Sequence, residues 1–594
     1  MDSAELALCG RFFSLAHPTG YPLLTALLRL FSLIPVFALP FRLNLVSALA
    51  AAGSCLFVCL SVRRLLSRRL PAVFASLAWG LSFELWSQAT ALEVYALQSL
   101  LLSAMLYALV CWQESGDDRF LLCTAGVFGL ALANHLTIVL WAPTALLLLF
   151  SRPLRDTRPR TWALAALLFA VGPLLYLLVP VLARPGPAQG WGGIASFSDF
   201  VRFVTARTYS YRLLAGASGY LGTQLSALPA LFGKQFLIIW VLVVPGVIWC
   251  LARNRRLLLA LALGFVLTLG FTLAYNIPDK EGYLLPAYLT CAVLIGLGFD
   301  WLSQRSRILR WLPFAGLVLP LVLWYPGLDR SRLRGLADLS ESVTKELPAG
   351  AVLFTDDYSA FQGMRWVLAD SPAGRLTVVS EHHLAFPWYL GQLESRLPVP
   401  DRAVALSREL WSSGVRGAEF GELAKARVEE IKLLLVRSWI GTHDVYWLPR
   451  DFQSWPDSWN EYFLHLHGLS YQYSTAPDTS GHLAAKTFPG TNRYRVTRFR
   501  DAETQNLCRR FAATVNRRGI RRFARDDAAG ALGDFNLALE YFPDYPSAVE
   551  NKGILFFFSR QPDSSRRYLQ RFLELEPGSP ETAKVRQFLN QLGH

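Results

Sequence analysis

At 594 residues, with 53% hydrophobic and only 17% charged side chains and a mean hydropathy of +0.30, the chain is too long for one ordinary domain and too apolar for a soluble one. The formal net charge of +14 is not accompanied by any zinc-finger, RNP or basic-zipper pattern, and its arginines cluster between apolar runs, which excludes nucleic acid as the partner and points to membrane lipid. Eight scattered cysteines without a CxxC or a paired spacing exclude a disulfide framework and a structural zinc site.

The opening stretch, MDSAELALCGRFFSLAHPTGYPLL, is charged and punctuated by proline, and Asp2, Glu5 and Arg11 stand where the apolar core of a signal peptide would lie. The run LLTALLRLFSLIP at 23–35 carries Arg29 and a closing proline, and reads as a helix along the membrane interface. Ten stretches then have the apolar character of spans, near 41–62, 70–90, 94–112, 120–134, 136–150, 162–183, 235–252, 257–275, 283–302 and 309–326. Those near 120 and 136 are short, and read as a broken pair or a re-entrant element.

Arginine-rich loops stay on the cytoplasmic side, so the clusters orient the spans. They are Arg63, Arg64, Arg68 and Arg69; Arg152, Arg155, Arg158 and Arg160; Arg253, Arg255 and Arg256; and Arg305, Arg307 and Arg310. All four fall on alternate loops, so one topology satisfies them. It sends the opening stretch, the 84–95 turn, Asn134 and His135, the 184–234 loop and NIPDKEGY to the opposite, extracytoplasmic face.

Beyond Leu328 the spanning pattern stops. GAVLFTDDYSAFQGMRWVL reads as strand, turn and helix, and RLTVVS and DVYWLPR as further strands, so 329–505 is expected to be a soluble extracytoplasmic α/β domain. In 506–594, Pro543 and Pro546 recur as Pro577 and Pro580, an offset of 34 that is the tetratricopeptide (TPR) period and predicts a TPR-like helical segment able to meet a protein partner.

Polar groups at membrane depth are costly and mark a pathway, a pocket or a pairing partner. The topology collects Asp2, Glu5, His17, Glu84, Gln88, Glu93, Asn134, His135, Asp279, Lys280 and Glu281 on one face, with Tyr21, Trp86, Tyr95, Trp191, Tyr209, Tyr211 and Tyr283 at the same level. Plain readings stand beside this one: Glu84 and Glu93 as helix caps, Trp86, Tyr95 and Trp191 as an aromatic belt, His135 as a core histidine, and PDKEG as a solvated turn. A hollow lined by carboxylates and aromatics suits a sugar attached to a lipid phosphate.

DSAEL, HPTGYPLLTALLRLFSLIP, RLNLVSAL, FELWSQATALEVYAL, GLALANHLTIVL and DKEGYLLPAY, in that order, resemble the protein O-mannosyltransferase-like family over most of the first 300 residues. VLFTDDYSAF and AFPWYLGQL are similar to the soluble region of its bacterial members. The resemblance implies a GT-C type membrane fold, a polyprenyl-phosphate sugar donor, and inverting transfer to a protein hydroxyl outside the cytoplasm. It implies Asp2 as general base with Glu5 as second carboxylate, since MDSAEL stands where the family has its acidic motif. His17, His135 and Lys280 become the groups that hold the donor phosphate. No metal is required, and a divalent cation is left open. The family pattern has an apolar span before the acidic motif and glycines where Met1 and Ala4 stand here, so the full-length form is expected to carry that span.

The expectation is therefore a mainly α, polytopic membrane bundle at 1–328, followed by the α/β domain and the TPR-like helices, in a bacterial inner membrane with its C-terminal part extracytoplasmic. It would transfer mannose or another hexose to protein Ser or Thr. The alternatives are transfer to a glycolipid or envelope polysaccharide, and a non-catalytic membrane assembly factor.

Overall fold

The computed structural model describes residues 2–153, 157–184, 190–213, 217–277, 280–305, 307–331, 334–372, 374–412, 417–450, 462–476 and 502–592. The chain folds as two compact units, one of residues 1–330 with 386–392 and 408–427, the other of 331–385, 393–407 and 428–594.

The first unit is helical. It begins with α1 (Ser3–Phe12), α2 (Pro22–Ser32), α3 (Leu39–Leu66), α4 (Arg69–Gly80), α5 (Phe83–Ala89), α6 (Val94–Ser115) and α7 (Asp118–Asn134). Among the described residues seven helices are long and apolar enough to cross a membrane: α3, α6, Pro159–Leu182, Gly222–Arg253, Arg255–Ala274, Lys280–Ser303 and Arg310–Leu328. At 1.5 Å per residue, the 28 residues of α3 reach about 42 Å, beyond the roughly 30 Å of a hydrocarbon core.

One of the ten expected spans is divided, and the two short ones keep about the lengths expected. The 70–90 stretch is two helices, α4 and α5, separated at Leu81 and Ser82, where the Ser82 hydroxyl turns back to the Trp79 carbonyl at 2.7 Å. The 120–134 and 136–150 stretches part at His135, whose extended backbone ends α7 before a short 3₁₀ turn, Leu136–Trp141, leads into Ala142–Leu149. Each break puts a polar side chain where an unbroken span would have placed an apolar one.

Enclosure differs between the spans. Val94–Ser115 and Lys280–Ser303 are buried along most of their length, while peripheral helices turn Leu167, Ile238, Val266 and Val322 outward, as contact with lipid tails requires. Close helix contacts are made by glycine: a Cβ on Gly172 would fall 1.7 Å from the Gly129 carbonyl oxygen, so α7 and the 159–175 helix touch backbone to backbone.

The four arginine clusters meet at one end of this unit. Arg64 pairs with Glu114, Arg152 donates to the Gln113 carbonyl at 3.2 Å, Arg256 to the Phe150 carbonyl at 3.3 Å, and Arg68 lies 3.3 Å from Asp300. Glu114 ends α6, so Glu93 at the start of that helix marks the opposite end.

The second unit is built on a five-stranded sheet of order β2-β1-β3-β5-β4, with β1 Ala351–Thr355, β2 Leu376–Ser380, β3 Val445–Leu448, β4 Phe463–His467 and β5 Ser470–Ser474. β1 pairs parallel with β2 and β3, and β5 joins antiparallel to β3. Every residue of β1 is buried, the pattern of a central parallel strand covered on both faces. Gly335–Glu346, Tyr358–Leu368 and Ala502–Phe523 contribute Val343, Phe361 and Phe511 to its core, and four more helices follow, from Ala528–Tyr541 to Thr582–Gln591.

Candidate active site

The end of the first unit away from the arginines holds a cluster built from four parts of the chain: the α1–α2 connection, the N-terminus of α6, the break after α7, and the turn before the Leu285–Ser303 helix. α1 is short because Phe13 takes a left-handed backbone conformation (φ 51°) and ends it, which turns the chain so that His17 comes back beside Glu5. Both Glu5 oxygens serve this turn: Oε1 accepts from the His17 amide and Oε2 meets the ring at Nδ1, each at 2.8 Å. The other ring nitrogen, Nε2, lies 2.8 Å from the Tyr21 hydroxyl and 3.7 Å from Asp2 Oδ2. Burial alone would lower the His17 imidazole, but Glu5 and Asp2 outweigh it and lift it to about 9, so His17 is a cation at neutral pH.

Glu93 is buried at the start of α6 and accepts from the Asp2 amide at 2.8 Å, which ties the acidic motif to a spanning helix. The Asp2 side chain is the exposed carboxylate of the group, at 36%, against 4% for Glu5. An aromatic wall faces it. Tyr21 stacks on His135 at 5.9 Å between centroids, and Tyr95 and Tyr283 lie 5.5 and 5.4 Å from the same ring. His135 is oriented by Thr137, at 2.7 Å from Nδ1. Its neighbour Asn134 donates to the Val94 carbonyl at 3.1 Å and to Gln98 at 3.0 Å, locking α7 to α6 rather than pointing at a substrate.

The other expected site residues have partners of their own. Glu84 accepts from Gln88 at 2.9 Å, and its amide donates to Gln235 at 2.9 Å, a separate buried knot. Trp86 packs on Tyr325. Lys280 donates to Gln224, and Glu281 opens the short turn that presents Tyr283. Trp191 packs on Phe386 and Trp388 at 5.4 and 5.7 Å. Asp279 lies outside the described residues. Sequence reasoning missed Gln98, Gln235 and Thr137, although Gln98 and Gln235 are lone amides within apolar helices, the signal that singled out the others.

Asp2, Glu5 and His17 each offer an atom within 4.8 Å of the other two, a spacing a cation could use. With Nδ1 on Glu5 and Nε2 on the Tyr21 hydroxyl, the His17 ring already has a hydrogen-bond partner at each nitrogen.

Comparison with known proteins bears on this cluster. Residues 2–158 match the model of the protein O-mannosyl-transferase TMEM260 N-terminal domain. The protein O-mannosyl-transferase TMEM260 of Mus musculus is 24% identical over 441 residues, covering 67% of this chain and 61% of the mouse protein, so the chain spans about three fifths of that relative's length. Among solved structures, ArnT from Cupriavidus metallidurans in the apo state aligns with 14% identity and a TM-score of 0.44, over 67% of this chain and 90% of that one. The same protein bound to undecaprenyl phosphate aligns with 13% identity and a TM-score of 0.47, over 80% and 94%. The segment that supplies Asp2, Glu5, His17, Tyr21, Glu93 and His135 is thus similar throughout to the protein O-mannosyl-transferase TMEM260 N-terminal domain, the resemblance that the order of the sequence motifs implied.

Proposed function

We propose that this multi-pass membrane protein is a GT-C type glycosyltransferase that moves a hexose from a polyprenyl phosphate to a protein Ser or Thr hydroxyl, with Asp2 as the general base. The observation that carries this reading is the convergence of an accessible carboxylate, Asp2, with a cationic imidazole, His17, in front of the Tyr21, Tyr95, His135 and Tyr283 wall. Asp2 accepts the acceptor's proton as its oxygen attacks the anomeric carbon. The bond to the carrier phosphate breaks on the opposite side, giving inversion, and the leaving phosphate keeps the electron pair. His17 offsets that charge, and Glu5, with both oxygens committed to His17, is a positioning residue rather than a second base. Glu93 holds the backbone of Asp2 in register.

The similarity of residues 2–158 to an O-mannosyl-transferase domain supports mannose and a protein acceptor. The gathering of arginines at the far end supports a cluster that faces away from the cytoplasm. Phe386 and Trp388, from beyond the last apolar helix, pack on Trp191 in the same unit, which supports an extracytoplasmic C-terminal part. TPR-like helices at the C-terminus would then offer a surface to a protein partner outside the cytoplasm. The test is reconstitution of the full-length protein in lipid vesicles with radiolabelled polyprenyl-phosphate mannose and Ser/Thr peptides. Label should reach peptide with the native chain and not with Asp2→Asn, and equal transfer by both would remove the base.

A further inference from the structure

α2 starts at the candidate site, with Tyr21 as its N-cap, and its 11 residues carry the chain about 16 Å to Ser32. Residues 33–38, Leu-Ile-Pro-Val-Phe-Ala, then join it to α3, and all of them are apolar and exposed. Phe37 is held in the left-handed region (φ 59°) and is 74% exposed, and Leu33 is 60% exposed. So dense a group of exposed apolar side chains marks a surface made to be covered. α3 shows what covers it. Phe41, Leu49 and Leu56 are exposed at intervals of two turns along this apolar spanning helix, so they share one face. Phe41 to Leu56 is about 22 Å, within the roughly 30 Å of a hydrocarbon core, so that face lies against acyl chains. The Phe37 ring meets Phe41 at 5.3 Å, which makes the turn a continuation of the lipid-facing stripe.

The charge beside the turn has one sign. Between Glu5 and Glu84 the sequence holds no Asp or Glu. Arg29, in the last turn of α2, donates through Nη1 to the Arg11 carbonyl at 2.6 Å, and Arg42, near the start of α3, through Nη1 to the Ser32 carbonyl at 3.1 Å. Neither makes an ion pair among the described residues, and Arg42 Nε is buried there without a hydrogen-bond partner. A guanidinium has five N–H donors, so one carbonyl leaves most of each fork for an anion.

We propose that the α2–α3 turn is a docking surface for an anionic phospholipid. Leu33, Ile34, Val36 and Phe37 lie among the acyl chains, and Arg29 and Arg42 take the headgroup phosphate. The docked lipid holds the far end of the helix whose N-cap, Tyr21, meets His17. Nothing in this docking requires the transfer reaction, and its test uses none.

The full-length protein in phosphatidylcholine vesicles is given a trace of phosphatidylglycerol or of phosphatidylcholine with a photoreactive diazirine on its acyl chain. After illumination and proteolysis, the label on residues 30–42 is measured by mass spectrometry. Phosphatidylglycerol should label this segment about fivefold more than phosphatidylcholine, the worth of one basic side chain at an anionic surface. Arg29→Lys with Arg42→Lys should keep that preference, Arg29→Gln with Arg42→Gln should abolish it, and Phe37→Asp should lower the label from both lipids. Equal label from the two headgroups on the native chain overturns the proposal, and so does a preference that survives in the Gln variant. The headgroup comparison on the native chain decides the matter even where the Gln variant fails to fold. Two other occupants would also overturn it: a polyprenyl phosphate that displaces the photolipid where equal phosphatidylglycerol does not, and a dimer of this chain that shields residues 30–42 from both lipids.

Discussion

The buried carboxylates of the candidate site and those of the second unit have different kinds of partner. In the second unit Glu381 is matched to Lys432 at 2.9 Å, Asp534 to Arg518, and the part-buried Asp357 to Arg510. In the first unit the Glu5 carboxylate meets an imidazole, Glu93 a main-chain amide and Glu84 the Gln88 carboxamide, while Asp300 at the arginine end meets Arg68. A lysine or arginine partner offsets the charge and holds elements together. A histidine or amide partner leaves charge and protons free to respond to a substrate, which is the condition catalysis needs.

That contrast can be broken most directly at the two kinds of acid. Asp2→Asn is expected to lower transfer by about 10²–10⁴-fold with the fold intact, the usual worth of a general base. Asp357→Asn should leave transfer unaltered, and loss of transfer there would mean that the second unit takes part in the chemistry. Next in size is Lys432→Met, which strands Glu381 in the sheet domain and is expected to cost roughly 3–5 kcal/mol of stability, read as a lower unfolding temperature. The double variant Glu381→Gln, Lys432→Met should recover most of it. A Lys432→Met protein as stable as the native one would show that this pair is not a clamp.

The histidine cluster predicts a pH signature. Because His17 is raised from 6.5 to about 9 in the folded protein, the stability it contributes is complete below about pH 6.5 and is lost as pH rises through 9. His17→Gln should flatten that decline in a thermal-unfolding series while lowering transfer. A native chain with no loss of stability between pH 7 and 9.5 would show that His17 is not held as a cation. The smallest expected effect is that of a chelator, which should leave transfer within about twofold because imidazolium already supplies the charge. A chelator effect restored by one divalent cation would reassign Asp2, Glu5 and His17 as its ligands.

Much of this was legible along the chain. Apolar runs, arginines on alternate loops and the run of four apolar residues that opens β1 are local patterns, each set by what a few neighbouring residues must bury. The candidate site was legible as a set of residue types on one face, because a polar group in an apolar stretch needs a reason wherever the chain later goes. Less legible was the break at Ser82, where one polar residue in an apolar run ends a helix that hydropathy alone would continue, whereas the break at His135 showed in the short lengths of the two stretches around it.

Sequence alone determined which stretches are apolar and which loops carry arginine. Only the tertiary structure decided which side chains meet: that Glu5 is spent on His17, that Glu93 holds the amide of a residue 91 positions away, that Glu84 forms a knot of its own, and that Trp388 returns to cover Trp191. The reason is physical. Burial is a property of a residue and its near neighbours, whereas a hydrogen bond needs two atoms within about 3 Å, and helix packing alone determines which ends of which helices come that close.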